Sequence, residues 1–278
     1  MKKLFPAWPL LLLLACSPLR NQRQFIVPPP YEISIDRRVD GNRLQLIGTN
    51  RTAMPVQVRI SWAGSLQAAP TAGFPLRVVV PPLAEQHPVA SLPLQAPLDS
   101  AAVAAHLRYQ ATPGAPGARH DETTVYELPF LPGKRYEVIQ TYFDAFSHAD
   151  KRAIDFAMRP KSVVCAARSG IIARVKSDSR SGGCDRRHLD EGNYVTILHA
   201  DGTFANYFHL HPRGTLVALA DTVAAGDPIG LSGDTGFSCR PHLHFVVYQP
   251  VQDSLLSIPT RFRNIPDLPL QRHAVYGK

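Results

Sequence analysis

The chain has 278 residues, 45% hydrophobic and 19% charged, with a formal net charge of +8. That length supports two domains of ordinary size, each with its own core, and the composition excludes a disordered chain. Lysines and arginines are scattered and form no basic run interleaved with aromatics, which excludes nucleic acid as the expected partner; the charge fits a solvated basic surface, with a wall polymer or anionic lipid as neighbour. The 26 prolines, nearly double the usual ~5%, favour short strands and many turns, so an all-β or mostly β fold is expected.

Met1-Lys2-Lys3 and the apolar stretch 4–15 have the basic start and short hydrophobic core of a secretory signal, too short to span a bilayer comfortably. Its end, Leu13-Leu14-Ala15-Cys16, resembles a bacterial lipoprotein signal. The resemblance implies a signal peptide at 1–15 and a lipidated Cys16 that holds the exported protein to a membrane. Ser17 resembles the pattern sorted to the outer membrane of a Gram-negative cell, so the periplasmic face of that membrane is the expected location. Residues 16–30 are polar and close on Pro28-Pro29-Pro30, a tether with an extended end.

Without Cys16, three cysteines remain in an oxidising compartment, enough for one bridge. Cys165 lies in an apolar run and reads as a buried strand residue. Cys184 and Cys239 sit in glycine-containing loops and are the expected pair.

Between 31 and 131, short runs at 32–35, 43–47, 56–60, 76–80 and 103–109 read as strands, with Asp40-Gly41-Asn42 as a hairpin signal. Their spacing predicts a β-sandwich-like domain, a binding or spacing module in which His87, His106 and His120 are isolated surface histidines. A second domain is expected at 132–264, where histidines, acids and glycines concentrate, followed by a C-terminal tail at 265–278. Strands are expected at 136–141, 153–158, 170–175, 194–198 and 204–210, with a long polar loop at 176–193 of the kind that walls a site.

Pro241-His242-Leu243-His244-Phe245 reads as a strand with two imidazoles on one face and apolar residues on the other, because side chains at i and i+2 point the same way. Asp155, flanked by Ile154 and Phe156, is a carboxylate among core residues, and burying it demands a hydrogen-bonded network or a cation. His148, Asp155 and His244 can supply the His and carboxylate ligands of a catalytic zinc, leaving His209 and His242 as proton-transfer groups that also stabilise an oxyanion. His188, His199 and His211 read as exposed or loop residues.

These residues resemble the LytM-type, or M23, zinc metallopeptidases that cut peptides of bacterial cell walls. The resemblance covers about 134–264: His148 with Asp155, Ala166-Ala167 before Gly170, Gly192-Asn193-Tyr194-Val195, Tyr207-Phe208-His209-Leu210, Gly230 to Gly236, and Pro241 to Phe245. Tyr126 to Phe130 and Ser257-Ile258-Pro259 further resemble a lipoprotein subgroup. It implies Zn2+ held by His148, Asp155 and His244, catalytic His209 and His242, and peptidoglycan peptides as substrate. Tyr142 is either a transition-state hydrogen-bond donor, as in similar enzymes, or a packing residue. Partners in wall synthesis or cell division stay unidentified. A silent, peptidoglycan-binding or amidase-activating relative is the competing reading, although such proteins are expected to lack metal ligands. Two departures stand out. Six residues separate His148 from Asp155 where the commoner motif has three, and Lys161 stands where a turn glycine is usual.

Overall fold

A computed structural model describes residues 32–64, 70, 73–95 and 99–278; the expected signal peptide, Cys16 and the whole tether at 16–30 lie outside them. Period-two burial builds the first domain: Ile33 and Ile35, Leu44 and Leu46, and Val56, Val58 and Ile60 all point inward. Ile33–Asp40, Arg43–Asn50 and His87–Pro93 form one three-stranded antiparallel sheet, and Leu76–Val80, Val56–Trp62 and Leu107–Pro113 another. Residues of both sheets share one core, a small sandwich.

The stretch 103–109 is divided rather than wholly strand. Ser100–His106 is a short helix whose N-cap Asp99 accepts from the Ala102 amide at 2.6 Å, and the strand begins only at Leu107. Four alanines with high helix propensity, behind a capping aspartate, outweigh the single β-branched Val103.

The second domain is organised by a nine-stranded sheet. Along it run Thr222–Val223, Gly170–Lys176, Tyr194–Leu198, Phe204–Phe208, Leu243–Val251, Ala153–Phe156, Arg135–Gln140 and Val275–Gly277, with Ser254–Ser257 pairing beside Leu243–Val251. Residues 265–278 are thus no loose tail: Leu270 enters the core and Val275–Gly277 closes the sheet edge on Arg135–Gln140. One face of the sheet, including Ile154, Phe156, Leu243, Phe245 and Val247, is sealed by the main core with Tyr126, Phe130 and Phe262.

The opposite face has two uses. Asp155 and His244 lie at one end of it, while Ala153, Val246, Tyr248 and Phe204, further along the same strands, are covered by Met54 of the first domain. Full burial of Met54 contributes about 2 kcal/mol. A buried network reinforces this docking: Arg174 donates to Glu32 at 2.9 Å, and the Tyr194 hydroxyl donates to the other Glu32 oxygen at 2.7 Å. The first domain therefore rests on the same face that carries the polar cluster, further along its strands.

His199 is buried, not exposed, because its Nδ1 donates to the Ser169 carbonyl at 2.8 Å and its ring packs edge-on against Tyr126. Burial pushes its pKa from the ordinary 6.5 down to about 4. The folded protein holds this ring neutral, so between those values the unfolded chain binds more protons; stability present above pH 6.5 is lost as pH falls toward 4. We expect roughly 2 kcal/mol of unfolding free energy to disappear between pH 7 and 5 from this residue. Urea denaturation across that range should show a correspondingly shallower acid limb in His199→Asn; equal slopes would refute it.

Candidate metal centre

Sheet register assembles the centre. Asp155 pairs with His244 on one side and with Gln140 on the other, and Phe208 pairs with His244 from the next strand. Leu243 and Phe245 are buried, so the strand's alternation turns His244 to the other face. His242 sits one residue before that strand, bridged to Gly233. His148 arrives from the turn before Ala153–Phe156, with its amide donating to the Asp144 carbonyl at 3.0 Å. His209 follows directly after Phe204–Phe208 at φ 63°, in the left-handed region that costs a non-glycine residue roughly 1 kcal/mol.

His148, Asp155 and His244 converge, with ligand atoms all within 4.8 Å of one another. The Thr141 carbonyl, 2.9 Å from His148 Nδ1, can only accept, so Nδ1 carries the proton and Nε2 presents a lone pair. That lone pair is 3.2 Å from Asp155 Oδ1 and 3.1 Å from His244 Nδ1. Two acceptors facing each other at this range need a cation or proton between them. Two imidazoles and one carboxylate, deeply set and open on the cavity side, are a donor set that fits a small divalent ion such as zinc. His148 and Asp155 are 0% and 1% exposed. Burial alone would raise Asp155, but His244, His148 and His242 outweigh it and hold its carboxyl well below the ordinary range.

Gln140 completes the arrangement and was not foreseen from sequence. Its Nε2 donates to Asp155 Oδ2 at 2.7 Å and to Ser147 at 3.0 Å, leaving Oδ1 to face His148 and His244. Only the pairing of Arg135–Gln140 with Ala153–Phe156 brings it there.

His209 and His242 lie side by side with ring centroids 4.5 Å apart. Each is oriented by a backbone carbonyl: Thr235 O is 2.7 Å from His209 Nδ1, and Arg240 O is 2.8 Å from His242 Nδ1. In the neutral form of each ring this leaves Nε2 as the free acceptor, and His242 Nε2 stands 3.6 Å from Asp155 Oδ2. Burial, with His242 and His244 nearby, pushes His209 down to about 3.

These groups line a cavity of about 650 Å³. Its far wall is the segment 176–193, which contains the strand Gly182–Gly183, paired in parallel with Gly236–Phe237, and the 3-10 helix Arg186–Glu191. Cys184 and Cys239 are disulfide-bonded on that wall, while Cys165 is free and buried. Tyr142 is not brought to the cavity: its hydroxyl accepts from the Thr260 amide at 2.7 Å. His211, expected in a loop, lies in the strand Leu210–Thr215 with Nδ1 bonded to Pro212 O, away from the cluster. Lys161 adopts φ 66°, the conformation for which a glycine is usual at that turn.

A buried His-Asp-His donor set with two further oriented imidazoles, on the floor of a cleft in an antiparallel sheet, defines a metallohydrolase-like centre. Residues 149–255 match the model of peptidase family M23, and the chain carries a LytM-type M23 peptidase domain. It is 32% identical over 128 residues to an uncharacterized metalloprotease of Buchnera aphidicola, covering 44% of this chain and 30% of that protein. It is 32% identical over 114 residues to the peptidoglycan DD-endopeptidase ShyA of Vibrio cholerae, covering 40% and 24%. The match thus spans less than a third of these relatives' own length. Among solved structures, the catalytic domain of lysostaphin from Staphylococcus simulans aligns at 28% identity and a TM-score of 0.34, covering 45% of this chain and 86% of that one.

Proposed function

We propose that the protein is a zinc-dependent endopeptidase that hydrolyses amide bonds in peptidoglycan stem peptides or cross-bridges. The observation that carries this reading is the lone pair of His148 Nε2 aimed at Asp155 and His244, beside two imidazoles whose free nitrogens open on the same cavity. His148, Asp155 and His244 would hold the ion, which when bound supplies Lewis acidity toward the scissile carbonyl and acidifies water. His209 and His242, both with Nδ1 committed to carbonyls, offer Nε2 to accept a proton from the attacking water and return it to the leaving amine. Once protonated, either ring is also a hydrogen-bond donor for the oxyanion. Gln140 keeps the Asp155 carboxylate turned toward the two ligand histidines.

The sequence of 1–30 supports an exported, lipid-anchored protein on the periplasmic face of the outer membrane, tethered through Cys16. Among the described residues no helix is long and apolar enough to cross a membrane. The test is digestion of purified cell wall by the zinc-loaded protein lacking residues 1–16, followed by mass spectrometry. New free peptide termini would identify activity and bond together. Intact cross-links with zinc confirmed bound would instead favour the silent, wall-binding reading.

A further inference from the structure

The cleft is charged as well as catalytic. Lys151, Arg240 and Arg272 all line it, against Asp144 and Asp155 as its only acids among the lining residues. Asp155 is enclosed by His148, His242, His244 and Gln140, and Asp144 accepts from the Thr141 amide at 2.9 Å and faces Arg272 at 3.8 Å. Elsewhere some surface cations are matched, Arg77 with Asp253, Arg168 with Asp201 and Arg263 with Glu127, and others are solvated singly; what distinguishes Lys151, Arg240 and Arg272 is that they share one cavity. Lys151 and Arg240 have no ion-pair partner among the described residues. A buried ion at the centre would add further positive charge to the same cavity.

Position makes these cations specific. Arg240 precedes His242 by two residues, on the wall that also carries Cys239. Lys151 follows His148 by three residues, its amide donating to the His148 carbonyl at 2.9 Å, within the long spacing between His148 and Asp155. Arg272 joins it on that side, donating to the Ile139 carbonyl at 3.2 Å. The lip is apolar, with Phe146 stacked on Phe237 at 6.1 Å and 65% exposed, and Leu189 54% exposed. An uncharged glycine bridge would use neither the cations nor this lip; a peptide with aliphatic side chains and free carboxylates would use both.

We propose that the cleft selects acidic peptides, with Arg240 receiving a carboxylate on the His242 side of the scissile amide and Lys151 with Arg272 receiving another on the His148 side. This rests on the peptidase reading above and names its substrate class. Arg240 suits a bidentate carboxylate contact, and Lys151 acts as a point charge. Partly exposed pairs of this kind each contribute little, so about tenfold in affinity is the expected sum, and it should be screened by salt.

The test uses cross-linked peptides freed from purified peptidoglycan, fluorescein-labelled on their amino groups, in two pools: carboxylates free, or converted to amides with carbodiimide and ammonia. Binding to the zinc-loaded full chain is read by stopped-flow anisotropy, and cleavage by mass spectrometry of the same mixtures. The acid pool should bind about tenfold tighter. Arg240→Gln with Lys151→Gln, both side chains at the cleft surface, should bring that ratio below about twofold, as should 1 M salt, where the screening length is only about 3 Å. Equal affinity for the two pools, no binding of either, or a preference unchanged in the double variant would overturn the proposal. Preferential binding of acids without cleavage would keep it and remove the peptidase reading; cleavage of both pools with equal binding would do the reverse.

Discussion

His244→Ala should strip the protein of zinc and abolish hydrolysis, whereas His209→Ala should retain the metal and lose turnover by roughly 10² to 10⁴. The two variants would be indistinguishable by activity alone, and metal analysis after gel filtration separates them. The difference follows from geometry. His244 Nδ1 lies 2.8 Å from Asp155 Oδ1 and 3.1 Å from His148 Nε2, inside the donor set. His209 is absent from that set and spends its Nδ1 on the Thr235 carbonyl. Removing one of three ligands should weaken zinc by more than the ~10 to 100-fold typical of changes to a supporting residue. His242→Ala should resemble His209→Ala. Loss of zinc from His242→Ala with retention in His244→Ala would invert the assignment along this strand, and full cleavage by any of the three would sink the mechanism.

Replacing both Cys184 and Cys239 by serine should cost about 4 kcal/mol of stability, since the bond closes a loop across 55 positions of sequence. It should also lower kcat while leaving zinc bound. The segment 235–240 carries the carbonyls that orient both imidazoles proposed to transfer protons, Thr235 for His209 and Arg240 for His242, and the disulfide fastens its end to the wall at 182–184. Thr235 is held independently, accepting from the Asn193 amide at 2.9 Å and donating to the Leu210 carbonyl at 2.7 Å. His242 should therefore suffer more than His209. Guanidinium denaturation, zinc content and steady-state kinetics on one preparation give the three readouts; turnover equal to the parent would show that the wall does not position these rings.

The expectations that survive contact with the structure are those carried by local chemistry. Alternation in Pro241 to Phe245 places Leu243 and Phe245 in the core and the flanking histidines outside it, since a strand's period is a property of the backbone itself. The isolation of Asp155 among apolar residues marks a buried carboxylate, because such a group cannot be left without partners. One failure was local and one was not: the strand expected at 103–109 ignored an alanine run behind Asp99, whereas His199 is enclosed by Ser169 and Tyr126, distant in sequence, and its neighbours carry no sign of this.

The chain's own pattern thus determined a mostly β protein and the residue types gathered at the candidate centre. Tertiary structure alone decided which strands are neighbours. Gln140 reaches Asp155, the residues at 275–277 close the sheet, and Met54 covers part of the face that carries the His-Asp-His cluster, all through contacts between segments far apart in sequence. Tyr142 belongs to the same group, since its hydroxyl is claimed by the Thr260 amide 118 residues away. Periodicity assigns a side chain to a face, but register and sheet order assign it a partner, and those are settled only when the whole core is packed.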